Sequence, residues 1–256
     1  MPPADHIPSP ALVPHDNNVE AAPAPTESEP LLGRPGDAVQ KPHDPMFRNL
    51  YLGTGWLAQL GVLLLLISTW IAVFRNPTLP LVSPHPLLQS LGVFLLVQAI
   101  LILQPTTHAN PTAKKNGARL HASLQGVSFL LFLAGIAVIE TNKHKNGYAH
   151  FHSTHAYLGV ITGVVLLVQY LFGFTIYVTP VVWGGEDKAK QLWKYHRYVG
   201  YLLLLLLLAT TSSALWTDYV QSSLGIPLLT FPVASVLIVL GVFPRAQLSK
   251  LGLQRH

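Results

Sequence analysis

A chain of 256 residues in which 50% are hydrophobic and only 11% charged, with mean hydropathy +0.40, lies far from the roughly 25% charge of soluble domains and describes an integral membrane protein. The absence of cysteine excludes disulfides, thiolate zinc sites, iron–sulfur clusters and covalent c-type haem attachment, so any metal has to be held by histidine, by oxygen ligands or by both. The formal net charge of +5 does not mark a nucleic-acid binder, because the basic residues flank apolar stretches instead of gathering on one soluble face.

Residues 1–46 are rich in Pro, Ala, Asp and Glu, lack an apolar period, and are expected to form a disordered cytoplasmic tail. No basic stretch precedes an apolar one there, so the first span is expected to act as the targeting signal. Glu27-x-x-x-Leu31-Leu32 resembles an acidic dileucine sorting signal, although so short a pattern also arises by chance. If used, it directs the chain to an endomembrane such as vacuole or endosome, with the endoplasmic reticulum as a further compartment to test.

Residues 47–245 are read as the membrane domain and 246–256 as a cytoplasmic carboxyl tail. Six apolar runs cover about 52–74, 85–103, 120–139, 154–178, 195–216 and 226–243, most of them near the ~20 residues that cross a bilayer as a helix. Their continuous apolarity excludes the alternation of a barrel strand, and backbone facing lipid has to bond internally. The expected fold is an all-α bundle of six transmembrane helices. Lys and Arg accumulate on cytoplasmic flanks. With the amino terminus inside, 13 of the 16 lie on that side: Arg34, Lys41, Arg48, Lys114, Lys115, Arg119, Lys188, Lys190, Lys194, Arg197, Arg245, Lys250 and Arg255. Only Arg75, Lys143 and Lys145 lie outside, so both termini are expected to be cytoplasmic.

His85, His121, His155 and His196 each stand at or just inside the start of a different span, the second to the fifth. Ionisable groups are costly at this depth and mark function. Alternating span directions place His85 and His155 toward the outer face, and His121 and His196 toward the cytoplasmic face. Two facing imidazoles at one depth supply both axial ligands of a six-coordinate b-type haem, leave no open position for dioxygen, and make an electron the product. Interfacial hydrogen bonding is the alternative for any one of them. Other membrane cytochromes place two ligands on one helix about thirteen residues apart, but Ala134 stands at that distance from His121, so the arrangement is one ligand per helix. Gly159 and Gly200 follow His155 and His196 by four residues and share their helical faces, either clearing room for a porphyrin or, as Gly159-x-x-x-Gly163, serving close helix packing.

The segments Ser83-Pro84-His85-Pro86, Lys115-Asn116-Gly117-Ala118-Arg119-Leu120-His121, Ser153-Thr154-His155-Ala156-Tyr157-Leu158-Gly159 and Leu192-Trp193-Lys194-Tyr195-His196-Arg197-Tyr198-Val199-Gly200, in this order, resemble the cytochrome b561 family and its single-domain group across residues 48–245. The resemblance implies two non-covalent haem b groups in the central four helices, held by His85 with His155 and by His121 with His196. It implies a transmembrane oxidoreductase that moves single electrons from cytoplasmic ascorbate to monodehydroascorbate or a ferric chelate, that is, a ferric reductase, often dimeric. The residues differ from better-known members at Ile100-Leu101-Ile102-Leu103-Gln104-Pro105, where those carry an ascorbate-associated Ala-Leu-Leu-Val-Tyr-Arg-like motif.

Lys115, Arg119, Lys194 and Arg197 flank the inner histidines and suit an anionic donor, or anchor the bundle and neutralise haem propionates. Lys143, His144, Lys145, His150 and His152 crowd an expected outer loop, which is either an acceptor dock or a solvated segment. A zinc or copper site from His144, His150, His152 and His155 would compete with haem for His155. Glu140 and Asp218 are candidates for proton movement, and Gln89, Gln98, Gln125 and Gln169 for interhelical hydrogen bonds. No side chain is needed as nucleophile or general base, because the cofactor supplies the chemistry. A histidine-lined transporter would call for broken helices or midplane carboxylate pairs, neither of which the sequence contains, and a non-catalytic membrane scaffold would leave the four histidines without a use.

Overall fold

Every apolar run becomes a helix, since only helical backbone satisfies its own polar groups in lipid. The computed structural model describes residues 38–41 and 43–247 and contains α1 (Gly55–Arg75), α2 (Pro84–Leu103), α3 (Pro111–Asn146), α4 (Thr154–Tyr177), α5 (Glu186–Ser213) and α6 (Thr230–Val242). No strand occurs among the described residues, and the fold is the all-α six-helix bundle. Helices α1 to α5 are each long and apolar enough to cross a membrane. The Glu27-x-x-x-Leu31-Leu32 pattern and the last nine residues of the carboxyl tail lie outside the described residues.

Several boundaries differ from the apolar runs for identifiable reasons. Helix α3 has 36 residues because Asn110 caps it, its side chain accepting from the Ala113 N–H at 3.0 Å, with Pro111 in the first turn. At the other end Lys143, His144 and Lys145 extend the helix to a left-handed Gly147, φ 65°, where cations suit the helix dipole. Those three residues therefore sit on the last turn of α3 instead of in a loop. Helix α5 starts at Glu186, well before its apolar part, with Glu186 and Asp187 in the favourable first turn. Helix α6 is only 13 residues, about 20 Å at the helical rise, since Pro227 precedes it and Pro244 ends it in a 3-10 turn.

The helices associate chiefly in pairs: α2 on α3, α4 on α5, and α1 on α6, with α1 also joined to α2. Val93, Leu96, Val97 and Leu101 of α2, Phe132 of α3, and Leu203, Leu204, Leu207 and Leu208 of α5 belong to one apolar core. On the outside, Leu130, Val164 and Leu202 remain 64%, 58% and 66% exposed, as lipid-facing side chains do. Gln59 and Gln98 exchange reciprocal amide bonds of 2.7 and 3.0 Å between α1 and α2, and Gln89 donates to the Phe132 carbonyl of α3. Interhelical bonding is thus the use of Gln89 and Gln98.

Helices α1 and α6 touch through small residues. A Cβ on Gly61 would stand 2.5 Å from the Ala234 carbonyl oxygen, and one on Gly241 would stand 2.2 Å from the Ala58 nitrogen. Neither neighbour can yield, because both are backbone. Gly241→Leu is expected to lower stability by about 1–3 kcal/mol or more, read as an earlier thermal unfolding transition in detergent, whereas leucine at the exposed Val236 leaves it in place. Arg245, counted in sequence with the cytoplasmic flank, folds inward and is 1% exposed, donating to the Asn49 and Leu101 carbonyls at 2.6 and 3.1 Å. It ties α2 and the segment before α1 to the end of α6. That segment packs as well: the Gln40 N–H donates to the Pro105 carbonyl at 3.0 Å, and Asn49 donates to Gln40 and to Ile102.

Candidate functional site

The paired helices bring the four spaced histidines together two by two. His85 of α2 faces His155 of α4 with ring centres 6.2 Å apart and planes at 80°, and His121 of α3 faces His196 of α5 at 6.4 Å and 86°. A metal bonded at about 2 Å to one nitrogen of each ring, with the ring radii added, sets imidazole centres roughly 6 Å apart. Both pairs have that separation.

What holds the rings repeats a single rule. His85 Nδ1 lies 2.9 Å from the Gly135 carbonyl, His121 Nδ1 2.9 Å from the Ala99 carbonyl, and His155 Nδ1 2.9 Å from the Thr210 carbonyl. His196 Nδ1 lies 3.0 Å from the Gln169 side-chain amide. Thus α2 and α3 hold each other's histidine, and so do α4 and α5. On every one of the four helices the histidine and the residue that holds its neighbour's histidine are fourteen positions apart: His85 and Ala99, His121 and Gly135, His155 and Gln169, His196 and Thr210. Fourteen residues are just under four turns, so both groups share a helix face and stand about 21 Å apart along it. The two histidine pairs are separated by most of a ~30 Å hydrocarbon core.

A carbonyl oxygen only accepts, so His85, His121 and His155 each carry the proton on Nδ1 and leave the Nε2 lone pair pointing away from the restraint. That is the tautomer a ligating imidazole needs, already oriented by its hydrogen bond. Glycines shape the surroundings. A Cβ on Gly159 would meet nothing within 4 Å, so α4 borders open space one turn below His155. The Gly200 position instead backs onto Gln169, 3.2 Å from its Nε2, and Gly173 lies under His196, where a Cβ would stand 2.6 Å from the ring Cε1. Two facing imidazole pairs at this spacing suit a haem in each, and the pair that includes His155 also has open space beside Gly159.

The charged candidates divide by end. At the His121 end, Lys115, Arg119 and Lys194 are exposed, Lys194 lying 5.0 Å over the Tyr195 ring, while Arg197 is half-buried. Lys114, one of the flanking cations that set topology, is half-buried as well and lies within electrostatic range of Arg197. At the His155 end, Lys143 pairs with Glu140 at 3.0 Å, Glu140 reaches His150 at 3.0 Å, and His144 is exposed. No three metal-binding side chains converge among the described residues, so His144, His150 and His152 do not join His155 around one ion. A cavity of about 300 Å³ opens over His155 and is lined also by His152, Ser153, Ser213, Thr217 and Asp218.

Residues 84–221, which carry all four histidines, match the family model of the eukaryotic cytochrome b561. The chain belongs to the cytochrome b561 family. Among curated relatives, this family member is 28% identical to the human transmembrane reductase CYB561D2 over 82% of this chain and 95% of that one. It is 24% identical to the rat lysosomal membrane ascorbate-dependent ferrireductase CYB561A3 over 64% of this chain and 68% of the relative. With the bovine transmembrane ascorbate-dependent reductase CYB561 it shares 27% identity over 49% of its own length, and the match spans only 48% of that relative. The b561 helices and their apolar surfaces make the chain an integral multi-pass membrane protein.

Proposed function

We propose that this b561 protein passes single electrons through the bilayer between two haem b groups, one held by His121 and His196 and the other by His85 and His155. When bound, each haem would supply a reversible one-electron ferric/ferrous couple. The protein's own part is to hold and exclude. The observation that carries the reading is the pair of imidazole couples at 6.2 and 6.4 Å, at opposite ends of the same four helices.

The density of Lys and Arg supports a cytoplasmic His121 end. There Lys115, Arg119, Lys194 and Arg197 present cations to an anionic one-electron donor, and the names of two relatives make ascorbate the first donor to try. Half-buried Arg197, adjacent to His196 in the chain, would pair with the anionic donor or with a haem propionate, and the three exposed cations would raise the local concentration of the anion. At the opposite end the cavity over His155 gives an acceptor access to the ligand, with Lys143 and His144 on the nearby end of α3. Ferric chelate and monodehydroascorbate are the acceptors that fit a one-electron delivery. The compartment facing that end is taken as the interior of an endomembrane.

Haem-loaded protein in vesicles tests this directly. With ascorbate outside and a ferric chelate trapped within, the trapped iron is expected to be reduced only where the protein is present. Ascorbate that reduces the haems while the trapped iron stays ferric would contradict the transmembrane path.

A further inference from the structure

Three of the four imidazoles are restrained by main-chain carbonyls, with Ser213 Oγ, itself donating to the Thr210 carbonyl, also 3.4 Å from His155 Nδ1, and the fourth is restrained by a side chain alone. We infer that Gln169 is the positioning residue of His196, its amide setting the ring's hydrogen bond and thereby the haem affinity and reduction potential at the His121–His196 site alone. The inference rests on the haem-ligand reading above.

Gln169 occupies the position fourteen residues after His155 that Ala99, Gly135 and Thr210 occupy on the other helices relative to their own histidines. Those three offer a carbonyl fixed by its helix, which can only accept. An amide has a donor end and an acceptor end, and it can turn. In the structure the Gln169 amide nitrogen donates to the His196 main-chain oxygen at 2.7 Å and stands 3.0 Å from His196 Nδ1. A donor facing Nδ1 keeps the ring proton on Nε2, the nitrogen that has to bind iron. Half a turn of the amide places Oε1 against Nδ1, moves the proton there, and frees Nε2. The bond to the His196 carbonyl is given up in exchange. The ligand-competent tautomer of His196 is therefore coupled to the orientation of Gln169, whereas the other three imidazoles are in that tautomer already.

Packing confines the choice to these two orientations. Gln169 is 8% exposed, Gly200 lies against its amide, Gly173 lies under the imidazole, and the Phe172 ring centre is 6.2 Å from that of His196. A stronger acceptor at this position makes the imidazole a better donor to iron and favours the ferric form; removal of the acceptor does the reverse.

The test uses the full-length haem-loaded protein with Gln169→Glu and Gln169→Leu. It reads haem per chain, the two reduction potentials, and the low-temperature resonance of each ferric haem, with the His121–His196 haem identified as the one missing from His121→Leu. Gln169→Glu is expected to keep both haems and to lower the potential and alter the resonance of that haem only. Gln169→Leu is expected to raise the same potential and to weaken haem retention there by roughly 10–100-fold. Unchanged potentials and resonances in both variants would overturn the inference. So would equal loss of that haem from both, which marks a packing role. Parent protein that is folded yet haem-free would instead overturn the ligand reading beneath it.

Discussion

His85→Leu is expected to reduce haem content from two per chain to one and to stop electron delivery to an acceptor trapped across the membrane, while ascorbate still reduces the haem that remains. The imidazole at 6.2 Å from His155 disappears, and one axial nitrogen cannot complete a six-coordinate site. The fold has little reason to fail, since the ring's bond to the Gly135 carbonyl is one ordinary hydrogen bond, about 1 kcal/mol net. That carbonyl belongs to a helix, and leucine restores apolar contact. His155→Leu should give the same result. His121→Leu and His196→Leu should remove the other haem and with it reduction by a donor added at the His121 end. The checks are haem stoichiometry, helical content by circular dichroism, and vesicle reduction rates. Two haems retained in His85→Leu would mean that His85 is not a ligand.

Gly173→Val should remove the His121–His196 haem without touching a ligand. The first carbon of any side chain there would stand 2.6 Å from His196 Cε1, inside van der Waals contact, and valine adds two methyl groups to it. The ring has little room to retreat along α5, since the Gln169 amide stands 3.0 Å from its Nδ1. It has to tilt away from His121, and a bis-imidazole site does not survive a tilt that breaks its 6.4 Å spacing. One haem per chain and an unaltered signal from the His85–His155 haem are expected. Gly159→Ala is the matched control: its added carbon meets no protein atom within 4 Å, so any loss there reports on the porphyrin face itself.

These two positions show how much of the site the sequence makes legible. Histidine is rare enough in apolar runs that His85, His121, His155 and His196 identify themselves, and alternating span direction sorts them into the pairs that the helices bring face to face. The groups that restrain the rings leave almost no compositional trace. Ala99, Gly135 and Thr210 act through their backbones, and any residue has a carbonyl. Only the fourteen-residue interval betrays them, and it becomes visible once one such bond is known. Gly173 reads in sequence like any small residue between helices, and Gly200, which shares the His196 face, backs onto the Gln169 amide. Helix length shows a similar limit. Apolarity reports where a helix meets lipid, not where it ends, so the polar first turns of α3 and α5 and the charged last turn of α3 extend past the apolar runs, and Pro227 and Pro244 shorten α6. Arg245 counts as a flanking cation until packing shows it buried against two carbonyls.

The most direct test of the two-haem assignment is a reduced-minus-oxidised visible spectrum of the detergent-purified protein, combined with haem per chain from a pyridine haemochrome. Two b haems per chain with a low-spin, bis-imidazole spectrum are the expected result. Well-folded protein with one haem or none would contradict the account.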